Sequence, residues 1–226
     1  MSSSTRKLVI RAYWIVTLLV LAVGVWLSAY YAPIESEMGV IQKVFYFHLP
    51  AAFCMFGACF LVFVAGAGYL WQRDQRWDDL ADAAAHVAVL LASVVLLTGM
   101  LWAKKAWGQW WTWSPRLTFS LILWLLYVVY LILRASIDSA QKRAMVCAVY
   151  GVIAFLDVPL VYLSVKLMDD IHPSSVELEP SMLLTLIVWM AGVALLTAGL
   201  VAGRFRLARI SHKKSHDASG VTGGMA

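Results

Sequence analysis

Charged side chains are scarce in this sequence. Asp, Glu, Lys and Arg make up 14% of the 226 residues, whereas 62% are hydrophobic. A water-soluble domain carries about 25% charged residues to cover its surface. With a mean hydropathy of +0.77, this chain lacks the charge to do so, which excludes an aqueous globular domain. Cysteine is nearly missing too: Cys54, Cys59 and Cys147 all lie in apolar runs, and no CxxC pair occurs. That excludes a thiol–disulfide relay and a zinc knuckle and leaves three small buried hydrophobes. No glycine-rich phosphate cradle or Walker motif is present, so the chain hydrolyses no nucleotide by itself, and any energy source belongs to a partner.

Long apolar runs are what the sequence has in quantity. Six stand out, at about 10–31, 49–71, 82–103, 117–134, 144–166 and 181–203. Each is close to the ~20 residues that cross roughly 30 Å of hydrocarbon as a helix. The first run is longer than the apolar core of a secretory signal and no small-x-small cleavage site follows it, so it is expected to remain as the first span. The pattern predicts an all-α, polytopic membrane protein with six transmembrane helices forming one domain over residues 1–210. The polar, Gly/Ser-rich end "SHKKSHDASGVTGGMA", residues 211–226, is expected to be a disordered tail.

The basic residues orient the bundle. If both termini share one side, that side receives thirteen of the 18 Lys and Arg, and the other keeps Lys43, Lys104, Lys105, Arg116 and Lys166. The positive-inside rule then predicts cytoplasmic termini. The same distribution accounts for the +5 net charge without nucleic acid, because the cations are spread over cytoplasmic segments beside span ends. Lys104, Lys105 and Arg116 are the exception. An outward connection of a dozen residues has little topological use for three cations, and together they call for an anion.

Three segments face outward, about 32–48, 104–116 and 167–180. In the first, His48 precedes Leu49 and Pro50, and because proline is best tolerated in the first turn of a helix, the second span is expected to start near Leu49. Val44, Phe45 and Phe47 then suggest a short stretch lying on the membrane surface. In the third, His172 precedes Pro173, and Glu179–Pro180 marks the start of the last span. The middle segment, "KKAWGQWWTWSPRLT", packs Trp107, Trp110, Trp111 and Trp113 into seven positions. Trp107, Trp110, Trp111 and Ser114 follow an i, i+3, i+4, i+7 spacing, which predicts a short interfacial Trp-rich helix between spans three and four with these residues on one face. Ser114–Pro115 reads as a helix start, with the Ser hydroxyl capping free amides.

Ordinary explanations cover many of these residues. Trp and Tyr gather at membrane interfaces, which accounts for Trp14, Trp26, Trp71, Trp77 and Trp189. Four indoles in one connection exceed what anchoring needs, and a flat aromatic ligand explains them better. His86, one turn after Asp82, reads as an interfacial pair, and His212 and His216 belong to the tail. His48 and His172 are the two outward histidines and flank the Trp segment. They are either solvated or structural imidazoles, or a pair able to hold a metal from two sides, as haem iron often demands. Asp157, beside Pro159 in the fifth run, has two readings as well. An intramembrane acid is often functional, but this one also has partners to offer it a structural role, in backbone groups freed by Pro159 or in Lys166.

At "WGQWWTWSPRLT", with "FYFHLPAA" before it and "HP" after it, the chain resembles the CcmC family, the haem-handling subunits of bacterial cytochrome c maturation. The likeness covers nearly the whole chain, from the six spans to the Trp-rich outward segment with one outward histidine on either side. It implies a site for haem b, iron protoporphyrin IX, at the outer face of the cytoplasmic (inner) membrane. His48 and His172 would be the axial ligands, giving bis-histidine ligation, and Trp107, Trp110, Trp111 and Trp113 the platform. The anion sought by Arg116, Lys104 and Lys105 would be the haem propionates, with Arg116 the best matched in geometry. The implied partners are membrane lipid, the chaperone CcmE that takes the haem, CcmD, and the ABC subunits CcmA and CcmB. The implied role is haem delivery rather than enzymatic catalysis. Two other readings compete with it: a haem-lyase-like subunit acting on apocytochrome, and a structural subunit whose indoles only anchor it.

One residue departs from the family motif, which has the form WGxWWxWDxRLT. Ser114 stands where that motif has Asp. Both residue types cap helices, but the negative charge is lost. The expected consequence is normal folding and haem binding with an altered handover. Comparing haem transfer to CcmE from the protein with Ser114 and from Ser114→Asp tests this, and equal transfer shows the charge to be dispensable.

Overall fold

The computed structural model describes residues 2–36, 38–172 and 178–222, the side chains of Ser3 and 211–222 excepted. Seven α-helices follow one another: α1 (Ser3–Trp26), α2 (Phe45–Gln72), α3 (Gln75–Trp107), α4 (Pro115–Ser136), α5 (Ala140–Ala154), α6 (Asp157–Leu167) and α7 (Pro180–Thr222). A π-helical turn, Leu27–Tyr31, extends α1, and a 3-10 turn, Val40–Val44, leads into α2. Six segments are long and apolar enough to cross a membrane: Ser4–Tyr31, Val40–Gln72, Gln75–Trp107, Pro115–Ser136, Ala140–Leu167 and Pro180–Ile210. Each overlaps one of the six apolar runs. The fold is all-α, with no strand among the described residues. Six crossings return the chain to the end where it starts, so the connections before α2, before α4 and after α6 share the end opposite the termini.

The centre of the bundle is the antiparallel pair α2 and α3, which make the most extensive helix contact. Ala51, Ala58 and Ala65 of α2 and Ala83, Ala84, Ala85, Ala88 and Ala92 of α3 are all almost fully buried. In a lipid environment apolar burial alone does not hold helices together, and small residues let backbones come close enough for dense van der Waals contact. Gly66 does the same toward α5, where an added Cβ would meet the Ala148 carbonyl oxygen at 2.9 Å. On one flank α7 packs on α2 and α3 and carries α1 outside it. The Trp189 indole of α7 donates to Ser28 Oγ at 2.8 Å. On the other flank α4 packs against α3, α5 and α6.

At the termini end, a charge network buried between α3 and α4 extends to a partly exposed arginine of α7. Arg134 donates to both oxygens of Asp78, at 2.6 and 2.8 Å, and its Nε reaches Asp82 at 2.8 Å. The side chain of Asp78 is 1% exposed and that of Arg134 13%. His86 pairs with Asp82 as its spacing suggested, at 3.4 Å, and its Nε2 accepts from Arg204 of α7 at 2.9 Å.

Several expectations need correction. Helix α2 begins at Phe45, not Leu49, so Pro50 is an interior residue and His48 lies inside the helix. The preceding 3-10 turn supplies the costly nucleus, and the helix continues through a proline whose missing amide leaves only one carbonyl unpaired. Val44, Phe45 and Phe47 therefore do not form a surface-lying stretch; between them Tyr46 is fully buried against Ala32 and Met182. The fifth run is two helices. Pro159 cannot donate to the Phe155 carbonyl, which is taken instead by Val158 at 3.0 Å, and the chain turns at Phe155–Leu156. Asp157 opens α6 with a buried Oδ2 that has no hydrogen-bond partner, while Lys166 lies over the Tyr162 ring. The short interfacial Trp-rich helix does not form, because α3 runs on to Trp107 and stops at Gly108 in a left-handed conformation (φ 73°) that favours glycine. At the chain end the helical backbone of α7 reaches Thr222, into the expected tail, because extending an existing helix costs far less than starting one. Residues 223–226, like Pro173, lie outside the described residues.

Breaking a buried ion pair by removing one partner leaves the other charge uncompensated. Arg134→Ala is expected to cost about 3–5 kcal/mol. Thermal unfolding of the purified protein in detergent checks this, and an unchanged transition would show that the network contributes little.

Candidate functional site

The end of α3 opposite the termini organises the connections around it. Thr98, Gly99 and Trp102 occupy its last turns before the lysines, and residues three or four apart share a helix face. His48 of α2 meets this face first. Its Nδ1 lies 2.7 Å from Thr98 Oγ1, and an added Cβ on Gly99 would stand 3.4 Å from its Cε1. The Thr98 hydroxyl also lies 2.7 Å from the Val94 carbonyl oxygen, which can only accept. Its single hydrogen is therefore committed there, and toward His48 it accepts. The network assigns the ring hydrogen to Nδ1 and leaves the Nε2 lone pair available.

His172 meets the same helix one turn further out, its ring centroid 6.5 Å from that of Trp102. Trp102 in turn stands edge-on to Trp107 at 5.4 Å. His48 and His172, far apart in sequence, thus come to consecutive turns of one helix. The His172 amide donates to Asp170 Oδ1 at 2.8 Å, and Arg116 Nη1 approaches its Nδ1 at 3.4 Å. Arg116 also donates from Nη2 to the Tyr162 carbonyl at 3.1 Å and from Nε to that of Val161 at 3.4 Å. The cation expected to seek an anion is engaged by α6 and by His172.

Without a helix at 108–114, Trp107, Trp110, Trp111 and Ser114 do not share one helix face. Trp107 ends α3 and packs inward on Trp102, Trp111 and Trp113 form an edge-on pair at 5.8 Å, and Trp110 is 55% and Trp113 75% exposed. Lys104 closes the end of α3, donating to the Gly108 carbonyl at 2.9 Å and standing over the Trp110 ring, whereas Lys105 is exposed. Ser114 takes the N-cap position of α4 in the extended conformation that Pro115 imposes, but its hydroxyl caps nothing. It is buried, and it is one of four buried polar atoms here without a partner, with Trp111 Nε1, Thr112 Oγ1 and Thr118 Oγ1. Unpaired buried polar atoms are costly, and four of them fall within the eight residues 111–118. The capping acceptor is Asp170, which takes the Arg116 amide hydrogen at 2.7 Å.

Trp102, Thr98 and Asp170 were not singled out from the sequence. The first two lie inside an apolar run, where hydropathy reports only a span, although their i, i+4 spacing places them on one face. Nothing local marks Asp170 as the cap of a helix 54 residues away.

The sequence is similar to those of known proteins over most of its length. The family described as CcmC, Heme exporter protein C, matches residues 2–219. The chain belongs to the CcmC family. It is 32% identical over 202 residues to Heme exporter protein C of Bradyrhizobium diazoefficiens, an alignment covering 85% of this chain and 76% of the relative. The Escherichia coli K12 protein of that name is 31% identical over 199 residues, 85% of this chain and 80% of the relative. The Rhodobacter capsulatus one is 34% identical over 149 residues, 63% and 62% respectively. Membership of this family, with six helices able to cross a membrane, fits a multi-pass membrane transport protein.

The hydrogen-bond network at His48 has a direct spectroscopic consequence. Nitrogen-15 NMR of histidine-labelled protein is expected to show His48 in the Nδ1–H form, and Thr98→Val, which removes the acceptor, is expected to shift it toward the other tautomer. An Nε2–H ring in the unsubstituted protein would contradict the assignment.

Proposed function

We propose that this protein binds haem at the end of its bundle opposite the termini and delivers it for cytochrome c maturation, with His48 and His172 as the axial ligands. The observation that carries the reading is the placement of the two imidazoles on successive turns of α3, with the Nε2 of His48 left free by Thr98. Haem is cargo here, and the residues around it suit that cargo. The indoles of Trp107, Trp110, Trp111 and Trp113 offer apolar contact to the porphyrin edge. Trp111 Nε1, Ser114 and Thr118 are unpaired donors beside them. Lys104, Lys105 and Arg116 supply positive charge for the two propionates.

Arg116 links the anion to the ligand. A guanidinium only donates, so while it faces Nδ1 of His172 that nitrogen accepts and Nε2 holds the hydrogen of a neutral ring. His172 becomes a ligand through Nε2 when Arg116 turns away, and a propionate arriving at the guanidinium supplies the reason to turn. His48 is poised in advance and His172 is released by the cargo. On this reading the termini are cytoplasmic, the site faces the periplasm across the inner membrane, and the exposed Trp110 and Trp113 stand where the chaperone CcmE would receive the haem. CcmD and the CcmA/CcmB exporter subunits are the further partners, and residues 1–210 act as one unit.

The absorption spectrum of protein purified after haem-replete expression tests the proposal. A Soret band with low-spin, six-coordinate character is expected, lost in His48→Ala/His172→Ala. Absence of haem from the unsubstituted protein, or an unaltered band in the double variant, would overturn it and favour a structural subunit.

A further inference from the structure

Asp170 lies between α6 and α7, and its two carboxylate oxygens have different tasks. Oδ2 accepts the backbone N–H of Arg116, in the first turn of α4, at 2.7 Å. Oδ1 accepts the backbone N–H of His172 at 2.8 Å. One half-buried carboxylate therefore ties the start of a 22-residue helix to the residue that presents the second imidazole. The first amides of a helix lack internal partners and favour a negative charge beside them. The residue at the N-cap position, Ser114, leaves that need unmet, since its hydroxyl makes no hydrogen bond. Arg116 returns across the same junction in the opposite sense. Its backbone is held by the Asp170 side chain, while its side chain holds the carbonyls of Val161 and Tyr162 and approaches His172. The result is a reciprocal clasp of α4, α6 and His172.

We propose that Asp170 is the positioning residue of the second ligand: by sharing one carboxylate between the amides of Arg116 and His172, it sets the His172 imidazole against α3 and replaces in space the cap that Ser114 does not provide. This rests on the reading of His172 as a haem ligand, and it makes a distinction that a capping role alone does not. A carboxylate at position 114 reaches the amides of α4 but does not replace the bond to the His172 amide. Restoring the cap locally therefore restores the helix start and leaves the ligand loose.

The test uses the full chain in detergent with two readouts, amide hydrogen exchange of the peptides containing Arg116 and His172, and the haem spectrum. Asp170→Ala is expected to lose protection at both amides, to bind haem about 10- to 100-fold more weakly, the usual range when a partner that orients a metal ligand is removed, and to give the spectrum of His172→Ala. Ser114→Asp/Asp170→Ala is expected to regain protection at Arg116 alone and to keep the altered spectrum. Unchanged protection at His172 in Asp170→Ala overturns the proposal, as does a double variant that recovers the original spectrum. If Asp170→Ala does not accumulate, Asp170→Asn, which keeps one acceptor oxygen, is expected to lose protection at one of the two amides, and unchanged protection at both overturns the clasp. A haem-free unsubstituted protein would instead sink the haem reading, and the exchange measurement would still decide the clasp.

Discussion

The close approach of α2 and α3 is the contact on which the rest of this protein depends. A lipid-facing bundle cannot rely on apolar burial to hold its helices in register, since hydrocarbon is as good a solvent for leucine as another helix. Alanine on both sides of the seam, with the larger Met55, Val62 and Leu91 between, lets the two backbones approach and sets their relative height. That height decides which turn of α3 His48 meets. A shift of one turn, about 5.4 Å, would carry the imidazole away from Thr98, and with it the bond that fixes the ring. Packing of the plainest side chains thus sets the chemistry of one of the few polar ones.

The two ends of α3 are held in different ways. Near the termini it is fixed by charge, through Asp78 and Asp82 against Arg134 and Arg204. A buried pair of this kind contributes little net stability against an apolar alternative, but separating its partners is costly. At the opposite end α3 meets rings and a hydroxyl, and those contacts leave room to rearrange: the Arg116–His172 approach is long, several buried donors are unpaired, and two indoles face outward. A fixed end and a permissive end on one rod suit the haem delivery proposed above.

Much of this was legible in the sequence. The six crossings follow from hydropathy, and Pro115 and Pro180 mark helix starts because a first-turn proline forfeits nothing. His48 and His172 stood out as the two outward imidazoles, and the structure brings them to one helix. The periodicity of the Trp segment misled, since the same spacing arises in an extended strap, and Gly108 stops the helix before the pattern can be used. Pro50 misled in the other direction: proline prefers a first turn, but a helix already nucleated upstream continues through it. The bond to Asp170 was beyond reach because it depends on α6 returning beside α4, a tertiary event that no local pattern encodes.

The turn that splits the fifth crossing has a mechanical consequence. Helix α6 is 11 residues long, about 16 Å, and is joined to α5 by two residues whose backbone bonds are already rearranged around Pro159. It is a short lever with its fulcrum partway through the crossing and its free end in the connection that carries His172. A tilt of roughly 10° about that fulcrum displaces the free end by about 3 Å. At the Val161 and Tyr162 carbonyls that Arg116 holds, partway along the lever, the same tilt amounts to only about 1 Å, so a small swing spares the middle of α6 and falls mainly on the connection that carries His172.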